Sequence, residues 1–177
     1  MPFAYYARLT KKDQATYRES DAVTSIRLPD PAALRPEVER LGSALAADDA
    51  GVVQASSQRL ADGICAMLEV DPPELEILAV RPRADWGELH GLYTADEDGV
   101  ARIRLWMRTA RHARVVAFRT YLRTLLHELC HHLDLAALGL AWSFHTEGFF
   151  KRESSLFKQL VPDVSSARTG RGPRRAS

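Results

Sequence analysis

The sequence is poor in cysteine and in net charge. Its two cysteines, Cys65 and Cys130, both lie in segments with helical periodicity, which argues against a disulfide framework. The 24 lysines and arginines nearly balance the 23 aspartates and glutamates, leaving a formal net charge of +1. This balance does not require nucleic acid, an anionic membrane or an acidic substrate as a partner.

Long apolar runs are also missing. No stretch approaches the roughly 18 apolar residues of a membrane span, and residues 1–14 contain no apolar run of signal-peptide length. We therefore expect a cytoplasmic protein with no membrane partner. Apolar residues still make up 46% of the 177 residues, which is enough for the core of one domain of ordinary size.

The apolar pattern predicts helices in the first part of the chain and a small sheet after it. A helical N-terminal part is expected over 1–70, with three helical segments at about 10–19, 31–47 and 51–69. Thr10, with Asp13 three residues later, is a candidate cap for the first of them. Further on, the pattern predicts three strands at about 75–80, 88–94 and 100–107. A loop over 81–86 and a hairpin turn over 95–99 should connect these strands.

The third predicted strand, 100–107, alternates between two faces. The face expected to be buried consists of Ile103, Leu105 and Met107. The face expected to be solvated consists of Arg102, Arg104 and Trp106. Its position in the hairpin makes the strand a candidate sheet edge, at which an extended peptide could add as a further strand. The two arginines could bind a substrate carboxylate, although a solvated strand face explains them equally well.

Two further helices are predicted after the strands. The first is long and amphipathic, covers about 113–138, and is followed by Gly139 as a terminating residue. The second should run over about 146–160 and stop at Pro162.

The C-terminal end differs in composition from the rest of the chain. Residues 165–177 combine arginines with Gly, Ser and Pro, and we expect them to form a disordered basic tail. A solvated tail is preferred over one that contacts nucleic acid. Residues 1–164 then form a single domain, with the helical part over 1–70 and its core over 71–164.

The strongest functional signal is the sequence His127-Glu128-Leu129-Cys130-His131 within the long helix. Histidines four residues apart lie on one helix face, so both imidazoles can reach one metal ion. This is the HExxH arrangement of zinc peptidases, in which the glutamate acts as general base toward a water activated by Zn²⁺. Surface histidines on an amphipathic helix are the structural alternative.

A catalytic zinc site normally has a third protein ligand. His145 lies 14 residues after His131, at the start of the next predicted helix, from which a side chain can approach the ion from another direction. Glu147 and Glu153 are alternatives for the same role. His145 is preferred, and Glu147 would then be a favourable charge at a helix start.

The remaining candidates are weaker. Asp134 could accept a hydrogen bond from a ligand imidazole, but a solvated or capping aspartate explains it equally well. His132 points about 100° away from His131 on a helix and is not expected to be a ligand. His90 is interpreted as structural and His112 as exposed.

Residues 124–131, followed by His145 and then aromatic residues, resemble the SprT-like (Spartan-type) zinc metallopeptidases. The preceding hairpin, with Gly91-Leu92-Tyr93 and 102–105, is similar to the family layout as well. The resemblance covers about residues 86–157.

The resemblance implies a zincin-like fold in which an HExxH helix lies beside a small sheet. It also implies Zn²⁺ ligands, namely His127, His131 and His145, and a catalytic base, Glu128. Two features differ from the family pattern. His145 is followed by Thr146 where the family has glycine, and the paired cysteines of a C-terminal zinc ribbon are missing. The DNA-associated role of the family is therefore not transferred.

Together these patterns predict an α+β, zincin-like domain. A small three-stranded sheet would pack on the long HExxH helix, with additional N-terminal helices covering the remaining apolar surface. The expected function is zinc-dependent hydrolysis of peptide bonds in a peptide or protein substrate. One alternative is a zinc-binding protein without turnover, structural or sensing, which has no need of Glu128. A nucleic-acid-associated module that uses the basic tail is the least favoured interpretation.

Overall fold

The computed structural model describes residues 3–84, 87–88, 90–95 and 99–162. Within these ranges the chain has an α+β fold of five α-helices and a three-stranded mixed sheet. The helices are α1 (Lys11–Ala22), α2 (Arg35–Ala46), α3 (Ala50–Met67), α4 (Phe118–Ala136) and α5 (Glu147–Leu160). The strands are β1 (Glu74–Val80), β2 (Arg83–Ala84), β3 (Gly87–Glu88), β4 (Gly91–Ala95) and β5 (Ala101–Arg108). Short 3-10 helices precede α1 and α2, at Ala4–Arg8 and Pro31–Leu34.

The predicted helices of the N-terminal part are confirmed. The Thr10 side chain caps α1 by accepting the Asp13 backbone N–H at 3.1 Å, and α1 continues to Ala22. The buried apolar side chains of α2 and α3 join those of α4, α5 and β5 in one continuous core. Cys65 and Cys130 are buried in this core as free thiols.

β5 is the central strand of the sheet, so the prediction of an edge strand at 100–107 is wrong. β4 pairs with β5 in antiparallel fashion, with Tyr93 opposite Ile103. β1 pairs with the other side of β5 in parallel, with Leu75 opposite Ile103. The sequence of β5 could not reveal this pairing, because a parallel partner from earlier in the chain does not change the alternation of buried and exposed residues along β5. β4 is the edge of this sheet that lies beside α4.

Most of the predicted alternation in β5 is confirmed. The three side chains expected in the core are buried, namely Ile103, Leu105 and Met107. Trp106 was expected on the solvated face, but it is only 6% exposed. Val116, from the segment that leads into α4, and Tyr121, from the first turn of α4, line the same small hollow as Trp106. The chain that follows β5 therefore covers this end of its outer face.

Arg102 and Arg104 face carboxylates of the neighbouring strand. The Arg102 Nε donates to Glu74 at 3.1 Å, and the Arg104 Nε donates to Glu76 at 2.7 Å. These ion pairs are exposed, and such pairs add roughly 0–1 kcal/mol each to stability. Because both arginines are engaged on β1, the suggestion that they bind a substrate carboxylate has no support here.

The connection between β1 and β4 differs from the predicted loop. Arg83–Ala84 pairs with Gly87–Glu88 in a separate two-stranded ladder, so the segment 81–86 is not entirely loop. The second strand was predicted to run continuously over 88–94, but β4 begins only at Gly91. Of the predicted hairpin turn, residues 96–98 lie outside the described residues.

α4 begins later than predicted because the chain before it extends the sheet. Val115 forms a bridge with Arg108, and the Val116 N–H donates to the Met107 carbonyl at 2.9 Å. These backbone bonds keep the segment extended until Phe118.

The ends of the last two helices agree closely with their predictions. α4 stops at Ala136, and Gly139 adopts a φ of +65°, which glycine tolerates without steric cost. α5 covers Glu147–Leu160 and stops before Pro162. No helix in the described part of the chain combines the length and the apolar character that crossing a bilayer requires. The predicted tail over 165–177 lies outside the described residues.

Candidate metal centre

Two histidines of α4 project to the same side of the helix. His127 and His131 are one turn apart, and their ring centroids lie 5.1 Å from each other. Elsewhere around α4, Leu122, Leu125 and Leu129 are completely buried. Core packing therefore sets the rotation of α4 and aims the two imidazoles.

His145 reaches the same point from the connection between α4 and α5. Gly139 turns the chain after α4, and Thr146 caps α5 by accepting a backbone N–H of its first turn at 2.9 Å. The His145 Nε2 lies 3.0 Å from the Nε2 of His127 and 3.0 Å from the Nε2 of His131. The three predicted ligands are thus brought together, with one nitrogen of each within 4.8 Å of the others.

The spacing of these nitrogens suits a tetrahedral zinc ion. Zinc–nitrogen bonds of about 2.0–2.1 Å in tetrahedral geometry place ligand nitrogens roughly 3.3 Å apart. The two Nε2–Nε2 distances of 3.0 Å are close to this value. The donor set of three imidazoles is also one that catalytic zinc sites use.

The contacts of His127 fix which of its nitrogens carries the proton. Its Nδ1 lies 3.2 Å from Glu153 Oε2, and the other oxygen of Glu153 accepts from Arg123 at 3.4 Å. A carboxylate only accepts hydrogen bonds, so the proton belongs on Nδ1. The Nε2 lone pair of His127 then points at the centre of the cluster.

His131 is fixed in the same way by a longer chain of contacts. Its Nδ1 lies 2.8 Å from Ser143 Oγ, and Ser143 donates its own proton to Asp134 at 2.8 Å. Ser143 must therefore accept from the His131 Nδ1–H, which again leaves the Nε2 lone pair free. Asp134 is fully buried and is paired with Arg152 at 2.8 Å. Asp134 therefore accepts from Ser143 and not, as predicted, directly from an imidazole, and its burial rules out the alternative of a solvated aspartate.

Burial favours the neutral imidazoles that metal binding requires. Burial, with the neighbouring charges of His145 and His127, lowers the pKa of His131 to about 3. Burial, with the charge of His127, also lowers the pKa of His145. At least two nitrogen lone pairs point toward one position, and a single cation bound there would accept both of them.

Glu128 lies beside the cluster, held against the edge of the sheet. It is 7% exposed, and its carboxylate accepts the Tyr93 backbone N–H. A Cβ at Gly91 would lie 2.5 Å from Glu128 Oε1, so only glycine leaves room for this carboxylate. Burial raises the pKa of Glu128, while His127 and the Tyr93 N–H oppose the rise.

The two glutamates considered as third ligands are engaged elsewhere. Glu147 is exposed and forms an ion pair with Lys151 at 2.7 Å. Glu153 contacts the outer nitrogen of His127 and pairs with Arg123. Neither belongs to the converging group of side chains, which supports His145 as the third ligand.

The other histidines lie apart from this cluster. His132 is buried, with its Nε2 2.8 Å from the Asp71 carbonyl oxygen. His112 is exposed, as predicted. His90 was interpreted as structural, but it is exposed and lines the cleft in front of the cluster.

A cleft of about 800 Å³ lies in front of the three histidines. β4 forms one wall, and the segment after α4 forms the other, where Trp142 is 62% exposed. A second hollow of about 550 Å³ meets the cleft at His145. Its walls come from the N-terminal segment and from α5, namely Phe3, Ala4, Tyr5, Arg8 and Phe150.

Several residues that support the site were not predicted to do so from the sequence. Tyr93 and Gly91 hold Glu128, Ser143 orients His131, and Tyr5 donates to the His145 carbonyl at 2.7 Å. Gly91 and Tyr93 entered the sequence analysis only as part of a hairpin, and no local pattern linked Ser143 to His131. For Tyr5, 140 residues away along the chain, no local pattern exists.

Comparisons of the chain with protein-family models, with curated proteins and with solved structures returned no match.

Proposed function

We propose that this protein is a zinc-dependent metallopeptidase of the HExxH type, with an active-site plan like that of the SprT-like, zincin-type enzymes. One observation carries the proposal. Three histidine Nε2 atoms from α4 and the α4–α5 connection converge on one point, with the buried carboxylate of Glu128 beside them. A bare HExxH pattern can occur by chance, whereas this convergence brings together three donors of the kind that a catalytic zinc site uses.

The residues present suit zinc and a hydrolytic reaction. His127, His131 and His145, which all line the cleft, would hold the ion through their Nε2 atoms. A bound zinc ion supplies a polarised substrate carbonyl and a water molecule whose pKa is lowered to roughly 7. Glu128 would take a proton from that water and would then give it to the departing amine.

The position of Glu128 fits this double role. Its hydrogen bond from the Tyr93 N–H and its contact with Gly91 hold the carboxylate at the wall of the cleft. Burial raises the pKa of Glu128, which is the direction that suits a carboxylate that has to accept a proton. A purely structural zinc site needs no such carboxylate.

The edge strand β4 gives the cleft a surface for an extended peptide. Gly91, Leu92, Tyr93 and Ala95 all line the cleft. The Tyr93 N–H points to Glu128 and not into the sheet, so the N–H groups two residues away on β4 point to the same outer side. A peptide segment can add there as a further strand. This part of the proposal replaces β5 with β4 as the docking edge.

Ala95→Pro is expected to raise KM for peptides about fivefold and to leave kcat nearly unchanged. Proline removes one outward N–H, and one hydrogen bond contributes about 1 kcal/mol. Steady-state kinetics measures both constants. Ala95→Gly keeps the N–H and serves as the control. An unchanged KM in the proline variant would exclude pairing at this point of β4.

Metal removal provides the direct test of the proposed activity. The purified full chain should contain about one zinc per molecule and should cleave an unfolded protein such as casein. A zinc chelator should abolish cleavage, and added zinc should restore it, because the water is activated only by the ion. Metal analysis and a cleavage assay provide the two measurements.

His112→Ala is the matched control for metal content, since His112 is exposed and lies outside the cluster. This variant should bind as much zinc as the wild type. Zinc at the expected stoichiometry with no cleavage of any unfolded protein would favour the structural or sensing alternative. A chain that takes up no zinc would contradict the proposal as a whole.

A further inference from the structure

We propose that the N-terminal segment 3–23 is a clamp that positions the third metal ligand, with Tyr5 and Asp21 as positioning residues. This inference deepens the proposed function, since it rests on His145 binding the ion. His127 and His131 are held by the packing of α4, but His145 lies outside both helices. The connection between α4 and α5 therefore needs another element to hold it in place.

Tyr5 makes the most direct contact with the ligand residue. Its hydroxyl donates to the His145 backbone carbonyl at 2.7 Å, across 140 residues of sequence. The Tyr5 ring packs edge-on against Tyr17, with centroids 5.9 Å apart, and Tyr17 is 1% exposed. Tyr17 in turn lies 6.2 Å from Phe144, the residue before the ligand. The ring that carries the donor hydroxyl is thus held against the buried Tyr17.

The C-terminal end of α1 holds the connection from its other side. The Gly148 N–H donates to Asp21 Oδ1 at 2.8 Å, so Asp21 satisfies one of the free N–H groups at the start of α5. A Cβ at Gly148 would lie 2.5 Å from the Asp21 carbonyl oxygen and 2.7 Å from that of Ser20. Only glycine lets α1 approach this closely, three residues after His145.

A buried cation joins the same end of α1 to the other side of the metal centre. Arg152 is completely buried and donates to the Ser20 and Val23 carbonyls at 2.6 and 2.5 Å. It also donates to Asp134 at 2.8 Å, and Asp134 accepts from the serine that orients His131. The C-terminal end of α1 therefore contacts the start of α5, next to His145, and is also joined through Arg152 and Asp134 to the serine that orients His131.

The consequence is that the metal centre is not complete within α4 and the α4–α5 connection, which carry its three candidate ligands. If residues 3–23 leave their place, His145 loses the hydrogen bond to its carbonyl and the start of α5 loses its acceptor. The site then retains the two histidines of α4. The N-terminal segment thus acts on metal affinity without contacting the metal.

The test compares Tyr5→Phe with Tyr6→Phe in the full-length protein. Tyr6 is the neighbouring tyrosine, and its hydroxyl contacts Arg18 and not the connection. Zinc affinity is measured by competition with a chromophoric chelator. Tyr5→Phe should bind zinc about fivefold more weakly than the wild type, the effect of one lost hydrogen bond, and Tyr6→Phe should match the wild type.

Asp21 provides a second pair of variants. Asp21→Ala removes the acceptor for Gly148 and should weaken zinc binding by about fivefold. Asp21→Asn keeps an acceptor oxygen and should restore most of the affinity, which separates a positioning role from an effect of charge. Equal affinities for Asp21→Ala and the wild type would contradict the clamp at this end.

Hydrogen exchange of the amides of 144–148 is measured on the metal-free protein as an independent readout. Exchange should be several-fold faster in Tyr5→Phe than in Tyr6→Phe. If the wild type binds zinc but Tyr5→Phe and Tyr6→Phe are equal in affinity and exchange, the clamp is refuted and the metal site stands. If the wild type binds no zinc, the proposed function fails, and the exchange comparison alone decides whether the clamp exists.

Discussion

Glu128→Gln should lower the rate of peptide hydrolysis by about 10²–10⁴-fold, the usual contribution of a general base, while the zinc content stays unchanged. Glutamine has nearly the same shape, so it fits beside Gly91 and can still accept the Tyr93 N–H through its amide oxygen. It cannot take a proton from water at neutral pH. The three histidines are not altered, so the ion should remain bound.

Activity assays and metal analysis on the same preparation provide the measurement. Glu147→Gln is the matched control, because Glu147 is an exposed glutamate paired with Lys151 and lies outside the converging group. Its activity should stay within about twofold of the wild type, as expected for an exposed ion pair. A Glu128→Gln enzyme with full activity would remove this carboxylate from the reaction, whereas loss of zinc would give it a structural role at the site.

His145→Ala should weaken zinc binding by about 10²-fold or more. A structural zinc site with four ligands binds with about 10–16 kcal/mol, which is roughly 3 kcal/mol for each ligand. The two remaining histidines lie on one helix face and cannot surround an ion, so they cannot replace the ligand that approaches from outside α4. Zinc affinity and cleavage activity should fall together in this variant.

Glu147→Ala and Glu153→Ala complete the comparison of possible third ligands. Glu147→Ala should have no effect, since its carboxylate is exposed and engaged by Lys151. Glu153→Ala should cost about tenfold in affinity, because it removes the acceptor behind His127 without removing a ligand. Should Glu153→Ala lose as much zinc as His145→Ala, Glu153 would have to be counted as a ligand.

The elements that sequence periodicity predicted well are those whose patterns are local. The cap at Thr10 and the span of α5 depend on residues within one or two turns, and both are confirmed. The predictions were wrong where contacts between different elements decided the structure of a segment or the exposure of a side chain. The start of α4 was delayed by backbone bonds of Val116 to β5, and Trp106 was covered by the chain that follows it.

The residues of the candidate site also fall into those that local spacing predicted and those that only the tertiary structure placed. The pair His127 and His131 follows from helical spacing alone, since residues four apart share one face. The nearness of His145 was an expectation that depended on where the chain returned after Gly139, and the structure places its Nε2 within 3.0 Å of both partners. Its role as a metal ligand remains a prediction.

The sequence by itself determined the helices, the histidine pair and the glutamate between them, because a helix has a fixed period and its spacing is local. Only the tertiary structure decided that β4 is the edge beside the cleft, that Tyr93 and Gly91 hold Glu128, and that Tyr5 reaches the His145 carbonyl. These contacts join residues tens to more than a hundred positions apart. Which residues make these contacts depends on how the whole core packs, so no local sequence pattern can predict them.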